Sequence, residues 1–254
     1  PVFILPEAMA TRGEQIAAGL HGSVTLGVGQ FCTNPGLTIL DSNSDKNPFI
    51  GKLRELISGS PGTAMLNPGI SDAYSEGTGA LDTSPLVETL TRAEPGQGPC
   101  QAGPALFQTT ANAFLENEAF SDEVFGPATL LVTHENRGQM LAIAAALEGQ
   151  LTATVHGTEA DINANRDLLE TLEGRVGRIL INGFPTGVEV CPAMVHGGPF
   201  PATSDGRSTS VGTRAIHRFT RAVCYQGFPE SHLPDELKSA NPLEIRRLVD
   251  GKAE

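Results

Sequence analysis

One cysteine stands out by its setting. Cys32 lies in Gly27-Val28-Gly29-Gln30-Phe31-Cys32-Thr33-Asn34-Pro35-Gly36, where glycines allow backbone to approach a ligand closely. An apolar-periodic segment runs into this stretch, and Leu37-Thr38-Ile39-Leu40 leads out of it. A thiol held between a helix and a strand is well placed as a nucleophile, because the framework fixes its direction while the loop exposes it. The competing reading is a buried structural cysteine, since free Cys is among the most buried residue types. The other cysteines, Cys100, Cys191 and Cys224, are widely separated and form no CxxC pair, which argues against a zinc site or a redox dithiol. The six histidines show no ligand spacing. His196 in Val195-His196-Gly197-Gly198-Pro199 is the one to watch, reading as a loop brace more readily than as a catalytic group, and no Gly-x-Ser-x-Gly elbow occurs.

The elements that must position Cys32 are read from periodicity. Val2 to Leu5 is a short buried strand, and Glu7 to Val28 carries apolar residues at helical spacing. That helix is expected to deliver Cys32 from its C-terminal end. Leu37 to Leu40 is a second strand, and Phe49, Leu53, Leu56 and Ile57 mark one helical face ended by Gly59. The signal between Met65 and Pro104 is mixed, with Leu86, Val87 and Leu90 suiting a short helix or a strand. Strands then follow at Ala105 to Thr110, Ala128 to Thr133, Leu151 to Val155 and Arg178 to Ile181. They alternate with helical segments at Ala111 to Asn117, at Arg137 to Leu147 and around Ile162 to Leu172. Such alternation predicts an α/β fold with a mainly parallel sheet. Gly183 to Ser210 is a long Gly- and Pro-rich loop, and loops of that length are usually functional or disordered. A compact region over residues 1–228 and a polar tail over 229–254 are expected, with a terminal helix over Pro242 to Val249.

A chain of 254 residues can bury a real core. Its net charge of −12 offers no basic field to nucleic acid or to an anionic membrane, so neither is expected as a partner. No apolar run is long enough to cross a bilayer and nothing resembles a signal peptide, so a reduced, cytoplasmic setting is expected. The chain opens on Pro1 rather than Met, which reads as the mark of a fragment or a processed product.

Two later motifs give Cys32 its context. Gly29-Gln30-Phe31-Cys32 resembles the catalytic-cysteine signature of the aldehyde dehydrogenase superfamily, and Glu123-Val124-Phe125-Gly126-Pro127 resembles its cofactor-ribose motif, in the family's order. The longer strings Gly29 to Gly36 and Met194 to Gly206 are similar to one branch, the NADP-dependent α-ketoglutaric semialdehyde dehydrogenases and their fatty-aldehyde relatives. The resemblance runs from Pro1 to about Leu237 and covers only the back half of the family's chain.

It implies a three-layer catalytic domain with helices on both faces of the sheet. Cys32 would then attack an aldehyde, and the thiohemiacetal would lose hydride to NADP or NAD to leave a thioester for water to cleave. Sulfur suits both steps, being a good nucleophile and a good leaving group. Glu123 would hold the nicotinamide-ribose hydroxyls and Phe125 would wall the nicotinamide, while Phe31, Phe184 and Phe200 would line the aldehyde pocket. The family's general base, a Glu in a Glu-Leu-Gly run, and its dinucleotide-binding domain would lie before Pro1, and no Gly-x-Gly-x-x-Gly occurs here. The chain alone is therefore expected not to oxidise aldehydes, and a homo-oligomer, dimer or tetramer, is expected. Two other readings stand beside this one. One is a non-catalytic binding or assembly module. The other is a thiol acyltransferase or thioesterase that uses Cys32 without nicotinamide.

Overall fold

The computed structural model describes residues 1–253. The elements of the larger unit run β1 (Val2–Ile4), α1 (Pro6–Thr25), β2 (Leu37–Asp41), α2 (Asn47–Ser58), β3 (Thr63–Ala64) and α3 (Pro68–Thr83). They continue with β4 (Glu88–Arg92), β5 (Gln101–Ala102), β6 (Ala105–Thr110), α4 (Ala111–Glu116), β7 (Ala128–His134) and α5 (Arg137–Ala146). The last are β8 (Gln150–His156), α6 (Glu159–Ala164), α7 (Arg166–Glu173) and β9 (Val176–Ile181).

Seven strands form one sheet in the order β4-β6-β7-β2-β1-β8-β9. Every pairing within it is parallel except the antiparallel edge strand β4 on β6. The central strands are buried on both faces, which is why they read as apolar runs rather than alternating ones. Alternate residues feed separate cores. Val2, Ile4, Leu40, Leu106 and Leu131 pack with Ala17 and Leu20 of α1 and with Phe49 and Leu53 of α2. Phe3, Ile39, Phe107, Leu130 and Val132 pack on the other side with Tyr74 of α3, Phe114 of α4, Ile143 of α5 and Leu172 of α7. The result is three layers, with helices on both faces of the sheet, as expected.

Several local expectations are corrected. The first helix ends at Thr25, and Leu26–Gly29 forms a tight turn in which Gly27 and Val28 take positive φ. A further helix, α3, occupies the stretch where the sequence signal is mixed. Asn67 Oδ1 accepts from Ile70 N at 3.0 Å to cap it, and Pro68 fills its first position. Leu90 belongs to a strand, β4, and the segment around Ile162 to Leu172 is two helices meeting at Asn165. A second compact unit begins at Phe219. In it, Leu248–Val249 pairs antiparallel with Lys252–Ala253, in place of the expected terminal helix. Asn241, Glu244 and Asp250 take positive φ there, a conformation no right-handed helix accommodates.

Candidate active site

A cavity of about 920 Å³ opens at the amino ends of the parallel strands. Pro1 ahead of β1, Thr33 to Leu37 at β2, Ala128 to Leu130 at β7 and Gln150 to Thr152 at β8 all line it. Ligands in open α/β sheets usually sit at the carboxyl ends, so this site is carried by the loops that enter the strands instead.

Cys32 comes from the loop between α1 and β2, is exposed, and lines the cavity. Several contacts set its position. Gly29 lies against the backbone of Gly126, where a Cβ on Gly29 would meet the Gly126 carbonyl carbon at 2.2 Å. Gly29 also takes φ +66°, so no other residue meets both demands. Asn34 Nδ2 donates to the Gly126 carbonyl at 2.9 Å. The cysteine loop and the Glu123 loop are thereby locked together. Thr33 Oγ1 donates to the Pro185 carbonyl at 2.9 Å, which ties the cysteine loop to the segment leaving β9.

Glu123 and Phe125 line the same cavity as Cys32. The Glu123 carboxylate is exposed and has no hydrogen-bond partner or ion pair among the described residues. The structure therefore brings three of the six residues singled out from the sequence to one cleft. The three pocket phenylalanines are placed otherwise. Phe31 is half-buried and folds back beside Gly27. Phe184 lies on α1 against Gly19, with its ring centroid 4.8 Å from that of His156. Phe200 is 84% exposed, and it is the following Pro201 and Ala202 that reach the cavity wall.

His196, read from the sequence as a loop brace, lies beside the cysteine. Its Nε2 lies 3.2 Å from Cys32 Sγ. The Ser-Thr-Ser run that closes the long loop holds its backbone: His196 N donates to Thr209 Oγ1 at 2.8 Å, and Ser210 N and Oγ both donate to the His196 carbonyl. Burial and the nearby Arg178 cation hold His196 below the usual histidine pKa, so its ring is neutral at neutral pH and Nε2 can accept a proton. No local pattern announces the pairing, because the two residues come from loops far apart in the chain. The Cys32 N–H has no hydrogen-bond partner among the described residues and is available to an oxyanion. Together these groups can generate a thiolate, direct it at a carbonyl carbon and stabilise the negative oxygen that results.

No protein-family model matches the chain. It is 51% identical over its whole length to α-ketoglutaric semialdehyde dehydrogenase 2 of Azospirillum brasilense, and 43% identical over 252 residues to the α-ketoglutaric semialdehyde dehydrogenase of Acinetobacter baylyi. In both cases the match spans 48% of the relative, so the chain has about half the length of the curated relatives it matches. Among solved structures, lactaldehyde dehydrogenase from Escherichia coli superposes over 86% of this chain and 45% of its own, with TM-score 0.70 and 15% identity. A mutant aldehyde dehydrogenase from Bacillus cereus superposes over 87% and 44%, with TM-score 0.68 and 16% identity. At such identities the structures speak for the fold. Taken with the end-to-end sequence identity to half of two such dehydrogenases, they show that this chain is similar, in sequence and in fold, to one half of an aldehyde dehydrogenase.

Proposed function

We propose that this chain is the cysteine-bearing catalytic part of an NAD(P)-dependent aldehyde dehydrogenase, oxidising α-ketoglutaric semialdehyde or a similar aldehyde to the carboxylic acid. The observation that carries the reading is the 3.2 Å approach of Cys32 Sγ to a neutral His196 Nε2 at the mouth of the cavity.

The Cys32 thiol gives its proton to His196 Nε2, and the sulfur adds to the aldehyde carbon. A C–S bond forms and the carbonyl π pair moves onto oxygen, where the Cys32 N–H meets it. The residues present fit the nicotinamide end of a dinucleotide. Glu123 offers an unpaired carboxylate to a ribose diol, and Phe125 offers a flat apolar face beside it. They do not supply a phosphate cradle, and preference for NADP over NAD rests on the relatives' branch alone. When bound, the nicotinamide would accept the hydride lost from the former aldehyde carbon. The resulting Cys32 thioester is cleaved by water, which returns the thiol and releases the acid.

A homo-oligomer in the cytoplasm is part of the same proposal. For the described residues, no helix is long and apolar enough to cross a membrane. The test is mass spectrometry of Cys32 after acid quench of the protein with α-ketoglutaric semialdehyde, in parallel with reduced-nicotinamide absorbance for the full gene product. An adduct on Cys32, and loss of turnover in Cys32→Ala, are expected. Turnover that survives in Cys32→Ala would overturn the assignment.

A further inference from the structure

Arg178 lies on β9, in register with Thr152 of β8, and Thr152 lines the cavity. Its guanidinium bridges two points of the long loop that follows β9. Nη2 donates to the Pro185 carbonyl at 3.0 Å, the same oxygen that accepts from Thr33 Oγ1, one residue after Cys32. Nη1 lies 3.8 Å from Met194 Sδ, two residues before His196. One planar, rigid fork therefore touches the support of the nucleophile and the support of its histidine. A lysine could not reproduce both contacts from a single ammonium. The guanidinium is also close enough for its charge to act on Cys32 and on His196.

We propose that Arg178 is a positioning residue for the Cys32–His196 pair, holding the Pro185 and Met194 segments in one geometry and placing a fixed positive charge beside the reacting sulfur. This rests on Cys32 being the nucleophile of the proposed reaction. The fork limits how the Pro185 and Met194 segments can slide against each other, so the Sγ to Nε2 distance is kept when substrate enters. The charge disfavours an imidazolium at His196.

The test measures Cys32 itself, independent of any aldehyde or nicotinamide. Purified chain is alkylated with iodoacetamide, which is neutral, and with iodoacetate, which is anionic, and peptide mass spectrometry follows Cys32 against the exposed Cys224. In Arg178→Met, alkylation of Cys32 by iodoacetamide should slow about tenfold, and the iodoacetate-to-iodoacetamide rate ratio should fall about fivefold, as for a partly screened charge near a surface. Arg178→Lys should restore the ratio but not the iodoacetamide rate, because it returns the charge without the fork. A packing role alone would change both reagents equally. Wild-type rates with both reagents in a folded Arg178→Met chain would overturn the proposal, as would an unrestored ratio in Arg178→Lys. If Arg178→Met does not fold, Arg178→Lys carries the test, and a wild-type iodoacetamide rate in it overturns the proposal. A wild-type Cys32 no more reactive than Cys224 would instead count against the catalytic reading.

Discussion

Cys32 Sγ and His196 Nε2 stand 3.2 Å apart although 164 residues separate them in the chain. The contact depends on a neutral imidazole, and burial together with Arg178 keeps His196 neutral further into the acid range than an ordinary histidine. His196→Gln removes the proton acceptor while the backbone bonds to Thr209 and Ser210 remain possible. Alkylation of Cys32 at neutral pH should slow by about tenfold or more. The wild-type rate should hold as pH falls through the normal histidine range, near 6.5, and drop only below it. A rate that already halves at that ordinary value would show that His196 titrates without the expected depression.

Glu123 is exposed on the cavity wall and has no hydrogen-bond partner or ion pair among the described residues, so its substitution has little fold to disturb. Glu123→Gln should leave the thermal midpoint of this chain unmoved, with a stability change within about 0.5 kcal/mol. If the proposed dehydrogenase function holds, the variant should raise the KM for the nicotinamide cofactor about tenfold, the size of one lost hydrogen bond to a charged group. Unchanged cofactor constants would mean that Glu123 is a solvated acid.

Much of this architecture was legible because the central strands are buried on both faces. Runs such as Val2-Phe3-Ile4 and Ala128-Thr129-Leu130-Leu131-Val132 could hardly be anything but parallel strands. Helix α3 was hidden for the opposite reason. Only Tyr74 and Thr78 of it are buried, so its apolar stripe is too narrow to show a period, and its glycines argue against a helix. Cys32 was legible through the glycines around it and through the Glu123 motif that follows. The contact of His196 with Cys32 was not, because it joins residues far apart in the chain. Phe184 shows the converse limit: an aromatic in a functional loop packs on α1 and His156, a placement that a sequence pattern does not distinguish from a pocket wall.

The backbone contact of Gly29 with Gly126 makes a sharp prediction about the frame of the site. Gly29→Ala must place a methyl 2.2 Å from the Gly126 carbonyl carbon at a positive φ, so the cysteine loop or the Glu123 loop has to move. A loss of about 3 kcal/mol or more is expected, with slower Cys32 alkylation in whatever remains folded. Gly22 is the control. It lies in α1 and a Cβ there meets nothing within 4 Å, so Gly22→Ala should stabilise by up to about 1 kcal/mol. Urea midpoints decide the matter, and similar midpoints for the two variants would contradict the close approach.

His156 is expected to set the acid limit of this fold. It ends β8, is 2% exposed, and neither ring nitrogen has a hydrogen-bond partner among the described residues. Burial, followed by the charge of Arg12, pushes its pKa down to about 4. In the unfolded chain the same ring titrates near 6.5. Between those values the unfolded chain binds the extra proton, so stability rises with pH across the window and is lost as pH falls through it. The contribution is complete above the unfolded value, and its loss amounts to about 3 kcal/mol by the time pH reaches the folded one. His156→Leu keeps an apolar body in the site and leaves no orphaned polar atom. Its urea midpoint should fall much less than that of the wild type between neutral pH and pH about 4. His134 is also depressed, mainly by burial, but it is present in both proteins and cancels in the difference. The effect should reach the active site, because the His156 ring carries Phe184, and Phe184 precedes the Pro185 carbonyl that holds Thr33 and Arg178. Parallel acid limbs for wild type and His156→Leu would show that the buried imidazole is not what acid attacks first.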